Sequence, residues 1–117
     1  MAYKIRTEYI VENTTIDKKF NVHGDLIEES YYICNWLCRL DGPCKIKYYK
    51  NGNIKSEYYN QGSYNPPHRI DGPAIIHYNL DGLAIEQYFY IDGQKFDDEL
   101  QYLVTAAKYS DGGDSSG

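Results

Sequence analysis

The sequence has no long apolar run. No stretch approaches the roughly 20 consecutive apolar residues that a membrane-spanning helix needs. The N-terminus, Met-Ala-Tyr-Lys-Ile-Arg-Thr-Glu, lacks the apolar segment of a secretory signal. Together these features give a cytoplasmic protein with no membrane partner as the expectation. Cysteine is sparse and odd in number, three in 117 residues, so no disulfide framework is expected. Methionine and tryptophan occur once each. Net positive charge is also missing. The formal charge of −5 opposes non-specific nucleic-acid binding, which rests on neutralising phosphates. Convergent carboxylates, a nucleophile–base pair and a phosphate-cradling loop are not visible, so no catalytic residue is assigned and no cofactor is expected.

What is abundant is tyrosine, with 14 residues. Tyrosine supplies contact area with a polar tip, so many of these rings are expected at the rim of a sheet. Charge is unevenly placed. Residues 39–69 hold six basic and two acidic side chains, and residues 70–117 hold two basic and nine acidic. The main signal is a pattern written twice. Arg39-Leu40-Asp41-Gly42-Pro43-Cys44 recurs as Arg69-Ile70-Asp71-Gly72-Pro73-Ala74, and Ile46/Ile76, Tyr48/Tyr78, Gly52/Gly82 and Tyr58/Tyr88 keep the same offset. A degenerate copy lies upstream, where residues 24–33 align with residues 82–91 and Phe20 stands near the place of Tyr48 and Tyr78. Self-similarity at this period marks a repeat architecture.

Each copy reads as strand, tight turn, strand. Asn51-Gly52 and Asp81-Gly82 separate runs rich in tyrosine and isoleucine, and Asn-Gly suits a type I′ hairpin. The fold class expected is mainly β: an antiparallel meander of stacked repeat hairpins with one C-terminal capping helix. Alternation along the strands assigns Ile46, Tyr48, Ile54, Tyr58, Ala74, Ile76, Tyr78, Ala84 and Tyr88 to the core face. The opposite, half-wet face then carries Lys45, Lys47, Tyr49, Lys55, Glu57, Tyr59, His77, Ile85, Gln87 and Phe89. Glu29, Glu57 and Gln87 are expected to form a column across it.

The segments Tyr48-Tyr-Lys-Asn-Gly-Asn-Ile-Lys-Ser-Glu-Tyr-Tyr59 and His68-Arg-Ile-Asp-Gly-Pro-Ala74 resemble MORN repeats (membrane occupation and recognition nexus). The variant they most resemble carries an HR-x-DGPA signature and is common in uncharacterised proteins of tailed phages and giant viruses. The resemblance covers about residues 18–96. It implies a protein-binding scaffold, and a viral or phage setting with a host protein as partner. The upstream copy departs from it in lacking Asp-Gly-Pro, and residues 61–67 lengthen the link between copies.

One domain is expected over residues 1–109, with hairpins at 18–38, 39–68 and 69–96, and a strand over residues 2–12 covering the first hairpin. Cys34–Cys38 and Asp92–Phe96 fill equivalent connections. From Phe96 the period changes. Leu100, Leu103, Val104 and Ala107 recur at helical spacing, which predicts an amphipathic helix over 98–108 with Asp97 as N-cap. Residues 110–117 offer nothing apolar to bury and are expected to be a disordered tail.

Cys34, Cys38 and Cys44 invite a zinc site with His23 or His68, but the spacing is not that of a finger or ribbon. Cys44 aligns with Ala74 and Cys38 with Phe96, so both read as buried apolar residues, and no metal is expected. Arg39/Asp41 and Arg69/Asp71 read as turn-bracing pairs, and His68 and His77 as rim residues. The candidate binding residues are Tyr49, Tyr59, Lys47, Lys55, Glu57, His77 and Phe89. Stacking of single-stranded nucleic acid on this set is opposed by the acidic total. The expected function is non-enzymatic: binding another protein, and in a viral setting inhibiting a host defence or regulatory protein. Self-association competes with it. An antitoxin-like role and a small enzyme without a recognisable motif are the alternatives.

Overall fold

The computed structural model describes residues 3–62 and 66–110. The expected disorder of the C-terminal tail falls, from residue 111 on, outside the described residues. Among the described residues, nine strands and one helix follow in order: β1 (Lys4–Val11), β2 (Thr14–Phe20), β3 (Leu26–Ile33), β4 (Trp36–Leu37), β5 (Lys45–Tyr48), β6 (Ile54–Tyr58), β7 (Ile75–Tyr78), β8 (Ala84–Ile91), β9 (Gln94–Phe96) and α1 (Glu99–Ser110). The strands form one antiparallel meander in the order β1-β2-β3-β5-β6-β7-β8-β9, with β4 beside the end of β3. The molecule measures 52 × 35 × 19 Å, so the sheet is a single layer. The helix packs on β8 and β9 at one end. Equivalent connections behave as the repeat requires: β4 returns on β3 through Ile33↔Trp36, as β9 returns on β8 through Ile91↔Gln94.

The turns divide into two kinds. In the long hairpins, Gly52 N–H donates to Tyr49 O at 2.9 Å and Tyr49 N–H to Asn53 O at 2.8 Å. Gly24, Gly52 and Gly82 have φ of 86°, 92° and 90°. Only the glycine of each loop takes positive φ, so each is a three-residue loop: a type I turn closed by a left-handed glycine. The type I′ assignment for Asn51-Gly52 is thereby corrected. True two-residue turns with both centres at positive φ occur instead at Cys34-Asn35 (51° and 68°) and Asp92-Gly93 (51° and 81°).

Strand pairing also corrects the face assignment. Ile46 pairs with Glu57, and Ile76 with Gln87. An even-numbered residue therefore faces an odd-numbered partner in these pairs, and parity switches across the pairings from β2 to β9, whereas β1 meets β2 without a switch, as in Lys4↔Phe20. Glu29, Ile46, Glu57, Ile76 and Gln87 lie in one row across five strands. The expected column of Glu29, Glu57 and Gln87 exists, but it shares the inner face with the isoleucines. Lys45, Lys47, Tyr58, His77 and Tyr88 lie on the outer face.

The core is thin. Cys44 (1% exposed) and Ala74 (0%) occupy equivalent buried positions, as the repeat alignment predicts. Tyr59, Ala74 and Ile76 form one buried cluster, and Ile91, Tyr102 and Ala106 a second at the helix. The helix is where expected, but its orientation is not. Leu100, Leu103 and Val104 are 68%, 53% and 46% exposed, while Tyr102 and Ala106 are buried. Tyr102 wins because its ring meets Phe89 at 4.7 Å between centroids and its hydroxyl reaches the backbone of the Arg69–Gly72 loop. The N-cap is Asp98 rather than Asp97: its Oδ1 accepts from Leu100 N–H at 3.0 Å.

Candidate functional site

Two sets of side chains repeat along the inner face. The first is an arginine on a tyrosine. The Arg39 guanidinium lies 3.9 Å from the Tyr31 ring centre, and Arg69 lies 3.8 Å from that of Tyr59. Each arginine also reaches its own loop. Arg69 Nε donates to Asp71 Oδ1 at 2.9 Å and Nη1 to Pro73 O at 3.0 Å, and Arg39 repeats this with Asp41 and Pro43 at 3.3 Å each. Gly42 and Gly72 leave room for this contact, and a side chain there would push the arginine end aside. A Cβ would meet the guanidinium carbon at 3.0 and 2.9 Å. The bracing role expected for these pairs is present, and the ring beneath each arginine completes it. Phe89 is the next ring of the series, and Tyr102 of the helix stacks where a further arginine would stand.

The second set is a tyrosine on a glutamate. Tyr48 donates to Glu29 and Tyr78 to Glu57, each at 2.5 Å. Burial first, then the glutamate that accepts the proton, holds both phenols well above the usual tyrosine value. Both sets therefore tie one repeat to the next, and their charged groups are satisfied within the sheet.

The seven candidate residues do not share a surface. Tyr59 is buried beneath Arg69, and Glu57 and Phe89 are part-buried on the same inner face. Tyr49 lies at the hairpin tip, its hydroxyl donating to Tyr78 O at 2.7 Å, with the Lys55 ammonium 5.8 Å from its ring. Lys47 and His77 stand on the outer face, in the row Glu28, Lys47, Ser56, His77, Glu86. The adjacent row is Ser30, Lys45, Tyr58, Ile75, Tyr88. Small serines alternate there with long or aromatic side chains, and Ser30 and Ser56 are buried between them. The Lys45 ammonium is 3.8 Å from Glu28, and the His77 ring meets Tyr88 edge-on at 6.1 Å. Sequence reading placed Lys45 on this face without making it a candidate, and missed Tyr58 and Tyr88 on it. The odd sum of paired residue numbers arises at the register shift between Lys47 and Tyr48, beside the three-residue loop, and simple alternation along a strand does not reveal it.

His68 is not a rim residue. It is 5% exposed, and its Nδ1 accepts from Asp92 N–H at 3.0 Å. Burial lowers its pKa below the usual histidine value, against a smaller opposing pull from Asp92. Tyr109 stacks on it at 5.2 Å and donates to Asp92. Of the cysteines, Cys34 is exposed, Cys38 half-buried and Cys44 buried, with burial pushing the Cys44 thiol up to about 11. Among the described residues, no group of three His, Cys, Asp or Glu is placed to hold a metal ion. A hollow of about 460 Å³ lies between Ile10, Tyr31, Ile33 and Leu40, and the charged groups at its rim, Arg39 and Asp41, bind each other. Among the described residues, no helix is long and apolar enough to cross a membrane. No known protein family, curated protein or solved structure matches the chain.

Proposed function

We propose that the chain is a MORN-like, non-enzymatic repeat module that binds another protein on the outer face of its sheet. The observation that carries this is the single layer. On the inner face Arg39, Arg69 and Tyr102 lie against the rings of Tyr31, Tyr59 and Phe89, while the meander sets Lys45, Lys47, Tyr58, His77 and Tyr88 side by side on the other. Tyrosines flanked by cations, with a buried isoleucine at Ile75 between them, have the composition of a binding hot spot. The inner-face pairs Arg–Tyr and Tyr–Glu serve the scaffold instead, because their polar atoms already bind within it. On the resemblance to phage and giant-virus repeats, the partner is a host defence or regulatory protein, met in the host cytoplasm.

The test is affinity capture from host lysate, followed by binding measurements on the captured protein. Lys47→Glu combined with Tyr58→Ala is expected to weaken binding by about 2 kcal/mol or more, roughly thirtyfold. Leu103→Ser, on the exposed side of the helix, is the control. Full affinity in a folded double variant would overturn the choice of face.

A further inference from the structure

The sheet ends on one side in β1, which has β2 as its single neighbour. No strand among the described residues pairs with its other side. Seven of its eight residues are exposed, and Ile5, Tyr9, Ile10 and Val11 are 64%, 83%, 50% and 65% exposed. Folded proteins usually blunt such an edge, because its free amides and carbonyls recruit a further strand. Here Lys4 and Arg6 are the residues that would repel an incoming strand. Their arrangement makes one strand an exception.

The order Ile5-Arg6-Thr7-Glu8-Tyr9 is complementary to itself when reversed about Thr7. In an antiparallel pair centred there, Arg6 of each copy stands opposite Glu8 of the other, and Ile5 opposite Tyr9. Opposite charges and aromatic–β-branched pairs are the cross-strand combinations that stabilise a sheet. Both ionic residues already lie on one face, since Arg6 Nε is 3.1 Å from Glu8 Oε2. Lys18 of the next strand adds a second cation at 3.2 Å from Glu8. We infer that β1 is a homodimerisation edge, occupied by β1 of a second copy across a twofold axis at Thr7. The two meanders then form one continuous sheet. This inference is independent of the partner proposed for the outer face.

The opposite end does not offer the same surface. There β9 covers Phe89–Ile91 and the helix packs on β8 and β9. The outer edge of β9 is three residues long, and the open edge of β8, residues 84–88, is centred on Glu86, where self-pairing would oppose two like charges. The association is therefore isologous and stops at two.

Sedimentation velocity over a concentration series, from low micromolar to submillimolar, tests this. A monomer–dimer equilibrium is expected. Arg6→Glu alone, and Glu8→Arg alone, are each expected to weaken it about tenfold, by setting like charges opposite each other. The double swap R6E/E8R is expected to restore it, because the reversed pair is again complementary. Circular dichroism verifies the fold of each variant, and if one single variant fails to fold the other decides. The inference is overturned by a chain that stays monomeric throughout, by a double swap no tighter than the single variants, or by assembly that grows past two copies.

Discussion

Tyr102→Phe isolates the contact that docks the helix on the sheet. The ring is 1% exposed and stacks on Phe89, so the phenylalanine keeps that packing. What it removes is one oxygen. That oxygen accepts from Gly72 N–H at 3.1 Å and lies 2.7 Å from both Arg69 O and Gly72 O. The substitution leaves a part-buried amide without this acceptor and the two carbonyls without this donor. An unmet buried polar group costs about 1–3 kcal/mol. At about 4 °C per kcal/mol for a domain of this size, the melting temperature should fall by roughly 4–12 °C. Thermal unfolding followed by circular dichroism gives the number. The Arg69 loop is held by this hydroxyl, so the tyrosine beneath Arg69 should also become more reactive to surface labels. A melting temperature within 1–2 °C of the parent, where the cost would be a few tenths of a kcal/mol, would refute the reasoning. It would mean that the ring alone docks the helix.

Gly52→Val tests the left-handed glycine of the long turns. A Cβ there meets nothing within 4 Å, so the cost is backbone strain alone, about 1–3 kcal/mol by chemical denaturation. Tyr48→Phe removes the proton donated to Glu29, a charge-assisted bond whose loss should cost about 1.5–3 kcal/mol in the same assay. His68 gives a pH signature. Its folded pKa is depressed, so the unfolded chain takes up the proton first. Its contribution is complete above the usual histidine value near 6.5 and is lost as pH falls from there through the folded value. Melting temperatures from neutral pH to about pH 5, near the lower edge of the histidine range, should therefore fall more steeply in the parent than in His68→Gln.

Much of the fold was legible because repeats repeat their physics. Arg-x-Asp-Gly-Pro announced two equivalent loops, the glycines announced the hairpins, and the alignment of Cys44 with Ala74 foretold two buried small residues. The faces were not legible by simple alternation. Parity carries along one strand, but the pairing Ile46↔Glu57 reverses it at the turn, so Glu57 and Tyr59 moved inward and Tyr58 and Tyr88 outward. The helix misled for a different reason. Leu100, Leu103 and Val104 carry the stronger apolar periodicity, but a thin sheet end offers little to bury them against. Tyr102 has both a ring to stack on and backbone groups to bind. His68 was read as a rim residue because nothing local indicates that Asp92 N–H needs its nitrogen.

The claim that the outer face of the sheet binds a protein is tested most directly by hydroxyl-radical footprinting of the chain with and without its captured partner. Side chains report on faces, which backbone amides do not. Tyr58, Tyr88 and His77 are expected to lose reactivity in the complex, while Tyr9 on β1 keeps it. Unchanged reactivity at Tyr58 and Tyr88, with protection confined to the helix, the hairpin tips or the inner face, would contradict the account.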